Sequence, residues 1–330
     1  MNNITVLIIT NNRPEFLKEN INSLIKFDAD IFVTVNGFNE ETLNFLTATK
    51  KRYENIDFIT LEKQVTKSEA RNIGIEKTNS EIIYFLDDDT FIDKNNIEIL
   101  KTKFLKYPFA KVIGGPNLTP PSSSRFQKLS GILLSTYLLS YKMNARYFAK
   151  GGDRFSDDTE LILCNLAIKK SALSEHNLKF NKFLHYNEEN LLLQQLKKFD
   201  APMLYVPDLT VYHHRRATLK SFLKQIYNSG QGRALMSVIM PTSIKLFFLF
   251  PVLFIIYTIC ALFNKTSFVL LNVYLLITLY NVVSSYFIYK LKLLDITVMF
   301  GVSVLSHLTY GAGFAVGTVK GILWKTQKKF

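Results

Sequence analysis

Three consecutive aspartates, Asp87, Asp88 and Asp89, directly follow the apolar run at residues 81–86. That run predicts a buried strand, so the carboxylates would lie at its carboxyl end, where ligands bind in open α/β sheets. Adjacent carboxylates repel one another unless a cation or hydrogen-bond donors compensate, and carboxylate oxygens are preferred ligands of divalent metals. The alternative is a solvated acidic turn in which Asp89 or Asp93 caps the next helix. The triplet by itself therefore predicts either a metal site or a helix start.

Two more pairs of titratable residues occur further along the chain. Glu188 and Glu189 open a predicted helix, and His213 and His214 follow a short extended segment. A carboxylate can act as a general base, but two acids in the first turn of a helix are also favourable through the helix dipole alone. Neighbouring residues of a strand point to opposite faces, so at most one of the two histidines can face a shared site.

The elements that would position these residues alternate along the first 116 residues. Short β-rich runs are followed by amphipathic stretches, which is the order of a parallel α/β sheet. The β-rich runs predict strands at 6–10, 31–35, 56–61, 81–86 and 110–113. The amphipathic stretches predict helices at 14–26, 40–52, 68–77 and 94–105. Strands this apolar need cover on both faces, so we predict a Rossmann-like, mostly parallel sheet with helices on both sides.

The middle of the chain continues less regularly. Residues 125–150 are basic at both ends, and their apolar centre of about ten residues is too short to span a bilayer. The segment is either an interfacial amphipathic helix or a helix packed on the sheet. Residues 161–168 predict one more apolar strand.

The last part of the chain is apolar enough for a membrane. Residues 244–263 and 267–289 predict transmembrane helices, because a span needs about 20 apolar residues, and 296–319 is a less certain third candidate. Gly313, Gly317 and Gly321, four residues apart, predict either close helix packing or a re-entrant element. A full third span would leave four lysines outside, against the positive-inside tendency: Lys320, Lys325, Lys328 and Lys329.

The net charge of +13 is unevenly distributed. Residues 1–100 carry 11 basic and 17 acidic side chains, whereas residues 101–150 carry 9 basic and no acidic ones, and residues 244–330 carry 8 lysines against Asp295. A near-neutral N-terminal half with basic segments beside apolar runs is typical of contact with anionic membrane lipids, and no recognition motif favours nucleic acid. Two cysteines, Cys164 and Cys260, favour a reducing compartment over a disulfide scaffold.

Several short strings, in order and spacing, resemble glycosyltransferase family 2 over about residues 4–235. The strings are VLIITNNRPEFLKENINSL, KSEARNIGIEKTNSEIIYFLDDDT, GGP, CNLAIKKSAL, HYNEENLLLQQL and YVPDLTVYHHRR. The resemblance implies the GT-A fold, a nucleotide-diphosphate sugar donor, a divalent metal (Mg²⁺ or Mn²⁺), and transfer by single displacement with inversion.

The resemblance also assigns the donor site. It implies metal coordination by Asp89, supported by Asp87 and by His213, with His214 as the alternative histidine. Asn36 stands where the family commonly has an acidic residue, which leaves the nucleotide open. The positions implied to contact the nucleotide sugar are Thr10, Asn12, Arg13, Asn36, Arg71, Asp87 and Asp88. For Arg71 the alternative is a salt bridge on the helix surface with Glu76 or Glu69.

The remaining implied roles concern the acceptor. Glu189 matches the family's base position and Glu188 supports it. Gln225 and Arg233 resemble residues near the acceptor and the pyrophosphate, although a juxtamembrane basic helix would also explain that segment.

Together these observations predict a membrane enzyme. We expect a cytosolic GT-A domain over 1–235, a linker over 236–243 and a membrane region over 244–330, with a hexosyltransferase-type activity on a lipid-linked or polysaccharide acceptor in cell-surface glycan synthesis. The alternatives are a polyprenyl-phosphate sugar transferase and a non-catalytic GT-A-like subunit of a glycan assembly complex.

Overall fold

The computed structural model describes residues 3–327, and Lys328 and Lys329 lie outside them. The chain forms two compact units, one of Met1–Pro120 with Ala145–His214 and one of Pro121–Asn144 with Arg215–Phe330. The strands are β1 Ile4–Thr10, β2 Asp30–Asn36, β3 Ile56–Leu61, β4 Ile82–Asp87, β5 Thr90–Phe91, β6 Val112–Gly114, β7 Asn117–Leu118, β8 Arg154–Phe155, β9 Leu166–Lys169, β10 Met203–Tyr205 and β11 Val211–His213. The helices are α1 Pro14–Leu24, α2 Glu40–Lys50, α3 Lys67–Lys77, α4 Asn96–Lys106, α5 Arg125–Ser135, α6 Tyr137–Ser140, α7 Lys170–Ser174, α8 Glu188–Lys198, α9 Leu219–Ile239, α10 Phe250–Cys260, α11 Lys265–Tyr289 and α12 Leu293–Gln327.

The first unit contains a large, mostly parallel sheet. Its strand order is β3-β2-β1-β4-β9-β6-β10-β8, and the four strands from β3 to β4 are parallel. Strand β9 runs antiparallel between β4 and β6. The alternation of strand and helix predicted for the first 116 residues is confirmed, and β5 is the one short strand that it did not include.

Helices cover both faces of this sheet, as its apolar strands require. Val6 and Ile8 of β1 pack with side chains from α1, α2 and α4, whereas Leu7 of the same strand packs with side chains from α7 and α8. Successive side chains of a strand point to opposite faces, so one strand serves both layers of the core. The predicted cover on both sides is therefore confirmed.

The segment 161–168 differs from its prediction as one apolar strand. Leu163–Asn165 forms a 3-10 turn, and only its end enters the sheet as β9. Asn165 explains the turn, because its side-chain amide donates to the carbonyls of Pro116 and Leu209 at 3.0 and 2.6 Å. The Tyr84 hydroxyl donates to Asn165 Oδ1 at 2.7 Å, and a buried amide with three partners interrupts the alternation of a strand.

A second, smaller sheet lies in the same unit. It consists of β5, β11 and β7 in that order, with β11 antiparallel to β5 and parallel to β7. The register pairs His213 with Thr90, the residue that follows the aspartate triplet. This sheet therefore brings residue 213 beside residues 87–89.

The second unit contains two helices that are long and apolar enough to cross a membrane, α11 with 25 residues and α12. The segment 244–263 differs from its prediction as a span. It holds the 11-residue helix α10, about 16 Å long, which is shorter than the roughly 30 Å of a hydrocarbon core. Pro251 stands in the first turn of α10, and Asn264 caps the start of α11, so the apolar run is divided at both ends.

The less certain third segment, 296–319, lies inside the 35-residue helix α12. Its glycines serve close packing within the unit: a Cβ on Gly313 would lie 2.1 Å from the carbonyl oxygen of Tyr227 in α9, and one on Gly317 would lie 2.3 Å from that of Gln231. Of the two roles open for these glycines, the contact between α9 and α12 supports helix packing.

Candidate active site

The first strand and the aspartate turn meet at the carboxyl edge of the parallel strands. Strand β1 pairs with β4 so that Ile9 lies opposite Asp87, which brings Thr10 beside Asp88. The Thr10 hydroxyl donates to Asp88 Oδ2 at 2.9 Å. Arg13, which precedes α1, donates to Asp88 through Nε at 3.2 Å and to Asp89 Oδ2 through Nη1 at 2.6 Å. Two carboxylates of the triplet are thus compensated by one guanidinium.

Two aspartates and one histidine form a possible metal site. Asp87, Asp89 and His213 each offer a ligand atom, and these three atoms lie within 4.8 Å of one another. His213 Nε2 lies 3.1 Å from Asp89 Oδ1. Carboxylate oxygens with one imidazole nitrogen suit Mg²⁺ or Mn²⁺, so the donor set fits the expected divalent metal.

The two histidines at the end of β11 point to opposite sides. His214 Nε2 lies 2.7 Å from Glu19 Oε2, and its ring packs on Phe16 and Phe91 with centroids 4.9 and 5.6 Å away. His213 is therefore the histidine on the side of the aspartates, in keeping with the alternation of a strand.

The two buried carboxylates of the triplet differ in their electrostatics. Burial raises the pKa of Asp88, and the neighbouring carboxylates of Asp89 and Asp87 raise it further against the effect of Arg13. Burial alone would also raise the pKa of Asp89, but His213 and Arg13 outweigh it and hold that pKa below its ordinary value. The pKa of Asp89 therefore lies below that of Asp88, and a lower pKa suits Asp89 better to the role of a metal ligand.

Helix α3 connects the aspartate turn with the start of α8. Arg71 is 5% exposed, and its Nη1 lies 2.7 Å from Glu188 Oε1 while its Nη2 lies 3.6 Å from Asp87 Oδ1. Burial lowers the pKa of Arg71, but the charges of Glu188 and Asp87 outweigh this and raise it. The surface salt bridge considered for Arg71 is wrong, since Glu76 pairs with Lys179 instead. Arg71 is a buried link between two acidic groups.

The acidic pair opens α8, as predicted. Glu188 and Glu189 are 6% and 8% exposed. Glu188 accepts from Arg71, whereas Glu189 Oε1 accepts from the Asn190 side chain at 3.1 Å. The structure thus shows Glu188 bonded to Arg71 and Glu189 bonded to the neighbouring Asn190 side chain.

Comparison with known proteins now decides the family. The model of glycosyl transferase family 2 matches residues 5–176, which include the aspartate triplet and Arg71. The chain belongs to glycosyl transferase family 2. The match ends before Glu188 and His213, so their place in this family-2 chain rests on the geometry above. No curated protein matches the chain by sequence.

Solved structures resemble the family-2 chain in fold. The mannosyltransferase PcManGT from Pyrobaculum calidifontis, in complex with GDP-Man and Mn²⁺, superposes with a TM-score of 0.59 at 12% identity, over 97% of this chain and 87% of that one. TarS 1-349 from S. aureus, in complex with UDP, gives a TM-score of 0.50 at 14% identity over 70% of this chain. This chain spans 65% of the length of that TarS structure. The predicted GT-A-type fold is confirmed.

Two residues of this family-2 chain that were predicted to contact the nucleotide sugar are hydrogen-bonded to other residues of the chain. Asn36 is 2% exposed, and its amide both donates to and accepts from the backbone of Val65 at 2.9 Å. It fastens the loop after β3, and its role as a contact of the nucleotide base stays a prediction. Asn12 remains exposed beside Arg13, with a φ of 54° and with its Oδ1 accepting from Asn39 at 2.5 Å.

The predicted acceptor residues lie in the second unit, on α9. Arg233 is 2% exposed, with its guanidinium carbon 4.2 Å from the ring centroid of Phe248 and its Nη1 3.6 Å from Met236 Sδ. The role of Arg233 near the acceptor and the pyrophosphate stays a prediction. Gln225 is half-buried, and its role stays a prediction.

One residue of the site was missed from the sequence. Asn20 is fully buried in α1 and donates to the carbonyl of Asp87 at 2.8 Å and to the Thr90 hydroxyl at 3.2 Å. That hydroxyl in turn donates to the same carbonyl at 2.7 Å. The signal was available, because Asn20 is a polar residue between Leu17 and Ile21 on the apolar face of α1.

Proposed function

We propose that the protein is an inverting, metal-dependent glycosyltransferase that moves a sugar from a nucleotide-diphosphate donor to a lipid-linked or polysaccharide acceptor in cell-surface glycan synthesis. The observation that carries the proposal is the cluster of Asp87, Asp89 and His213 at the carboxyl edge of the sheet in a family-2 chain. Two proteins of similar fold bind UDP, or GDP-Man with Mn²⁺, which supports a nucleotide-sugar donor.

The donor would bind across the ends of β1 and β4. A divalent metal held by Asp87, Asp89 and His213 would supply positive charge to the diphosphate as it leaves. Arg13, whose side chain is 32% exposed above the same carboxylates, would supply a second cation. Asp88 has a supporting role, because its buried carboxylate orients Thr10 and Arg13.

Glu189 is the proposed base. Its carboxylate would accept the proton of the acceptor hydroxyl while that oxygen attacks the anomeric carbon and the nucleoside diphosphate leaves from the opposite face, which inverts the configuration. Glu188 already accepts from Arg71, so its carboxylate is engaged in holding the start of α8 to α3. Glu188 therefore supports the base helix and Glu189 carries the chemistry.

The second unit would hold the enzyme at a membrane. Helices α11 and α12 have the required length and composition, and the basic segments beside them suit an anionic cytosolic leaflet. We propose a cytosolic catalytic domain over residues 1–235, followed by a linker over 236–243 and a multi-pass membrane region over 244–330. An enzyme anchored in this way is suited to an acceptor that is itself in the membrane.

A thermal-shift panel of nucleotide sugars, with and without Mn²⁺, tests the proposal. We expect one donor to stabilise the full chain in a Mn²⁺-dependent manner, because binding to the folded state alone raises its melting temperature. Asp89→Asn should abolish that shift and transfer, whereas Asp93→Asn, which changes an exposed aspartate beyond β5, should keep both. The absence of a shift with every donor would favour a non-catalytic subunit.

The two glutamates provide the second test. Glu189→Gln should keep the Mn²⁺-dependent donor shift and lose turnover. An active Glu189→Gln variant, together with a Glu188→Gln variant that is still folded by its melting curve but inactive, would move the base by one residue.

A further inference from the structure

The loop 180–187, which leads directly into Glu188 and Glu189, is hydrogen-bonded to α3. Asn72 exchanges two hydrogen bonds with the backbone of Phe180, both at 2.9 Å. Ser68 donates to the carbonyl of Leu184 at 3.2 Å. Ser68 lies in the first turn of α3, which follows the carboxyl end of β3, so the loop lies at the same edge of the sheet as the aspartates.

Apolar side chains on this loop fall into two groups. Phe180 and Leu184 are 2% and 1% exposed and anchor the loop in the core. Phe183 and Tyr186 are 44% and 42% exposed, and Lys182 Nζ lies 5.7 Å from the ring centroid of Phe183. Phe180 and Leu184 account for how the loop folds. Phe183 and Tyr186, five and two residues before Glu188, lie outside the core.

The aromatic and non-acidic composition of the loop favours a sugar as its ligand. An aromatic face offers flat apolar contact with a polar edge at the tyrosine hydroxyl, and the C–H face of a pyranose ring is a flat apolar surface of similar size. Residues 176–187 contain no acidic side chain, so a neutral or anionic sugar meets no repulsion there. A loop tied to α3 by three hydrogen bonds has less backbone entropy to lose when a ligand binds.

We propose that Phe183 and Tyr186 form the acceptor platform, on which a pyranose ring of the acceptor stacks and from which its hydroxyl reaches Glu189. This inference rests on the proposed transferase function and adds the substrate class of its acceptor side: a glycan ring, bound through its C–H face.

Saturation-transfer NMR with methyl glycosides tests the platform. The full chain is placed in lipid nanodiscs without sugar detergents, and the probes are the methyl α- and β-glycosides of glucose, galactose, mannose and N-acetylglucosamine. We expect saturation of the ring C–H protons of at least one probe, and binding about tenfold weaker in Phe183→Ala and in Tyr186→Ala, the loss of one aromatic contact each. Phe183→Tyr should retain binding.

Phe109→Ala is the matched control, since Phe109 is 80% exposed and precedes β6 at the opposite edge of the sheet. Circular dichroism melting of each variant checks that the fold is retained. If no probe binds, or if the double alanine variant binds as the parent does, the platform is refuted. If the same preparation still shows a Mn²⁺-dependent thermal shift with a nucleotide sugar, the transferase function stands without the platform. If glycosides bind through the two rings but no nucleotide sugar gives a thermal shift, the transferase function is refuted instead.

Discussion

Replacing Glu188 by glutamine should destabilise the first unit far more than removing an equally close carboxylate at the surface. The Arg71–Glu188 pair is 2.7 Å long between side chains that are 6% and 8% exposed, and the Lys179–Glu76 pair is 2.8 Å long between side chains that are 58% and 59% exposed. Breaking a buried pair costs about 3–5 kcal/mol, whereas an exposed pair contributes about 0–1 kcal/mol. Asp87, 3.6 Å from Arg71, still compensates part of the charge of Arg71. We therefore expect Glu188→Gln to lower the free energy of unfolding by about 3 kcal/mol.

A thiol-reactive fluorogenic dye can report the unfolding of this unit. Cys164 is 2% exposed within it, and Cys260 is exposed in the second unit, so a Cys260→Ser background leaves one buried thiol. The assay follows thermal unfolding. At about 2–4 °C per kcal/mol for a unit of this size, Glu188→Gln should lower the midpoint of thermal unfolding by about 6–12 °C. Glu76→Gln should lower it by less than about 4 °C. Equal shifts for the two variants would refute the buried ion pair.

The double variant Arg71→Met with Glu188→Leu separates charge from packing. It leaves no unpaired buried charge, so it should recover most of the stability that Glu188→Gln loses. A double variant as unstable as Glu188→Gln would mean that packing at the start of α8, and not the ion pair, determines the stability.

Three further predictions follow from single contacts. Gly74→Ala should lower the free energy of unfolding by about 1–3 kcal/mol in the same dye assay, because its Cβ would lie 2.6 Å from Leu7 Cδ1 and 2.9 Å from Thr34 Oγ1. Adding Leu7→Val should recover part of that loss. Asn20→Ala should weaken Mn²⁺ binding in isothermal titration, since the carbonyl of Asp87 loses a donor at 2.8 Å; an unchanged affinity would limit Asn20 to a structural role. In a background without Cys164 and Cys260, Lys325→Cys should react with an impermeant maleimide in inside-out but not right-side-out vesicles, as the positive-inside tendency predicts for this basic end of α12.

The parallel half of the sheet could be predicted from the sequence because its strands are long and apolar. Strands β1 to β4 have six or seven residues each, enough for the apolar pattern to identify them. The second sheet could not be predicted in this way, since β5 and β7 have two residues each and β11 has three. No periodicity can be recognised over two residues, although this sheet is what brings His213 to Asp89.

The candidate site shows the same limit in its side-chain contacts. The aspartate triplet and the family resemblance identify the region, yet the partner of Arg71 is Glu188, 117 residues away. The alternatives considered from local sequence were Glu76 and Glu69, five and two residues from Arg71 along the same helix. Contacts that depend on how α3 and α8 meet across the fold have no counterpart in local spacing.

Helix α3 explains why the string ARNIG is informative despite its short length. Ser68, Arg71 and Asn72 have the i, i+3, i+4 spacing of one helix face, and they hold the loop 180–187 and Glu188. Gly74 lets the same helix approach β1 and β2, next to the strand that ends at Asp87. One helix thus sets the distance between the proposed metal ligands and the proposed base. It follows that Gly74→Ala should impair transfer more than donor binding, because α3 would carry the base helix away from an aspartate turn that β1 and β4 still hold.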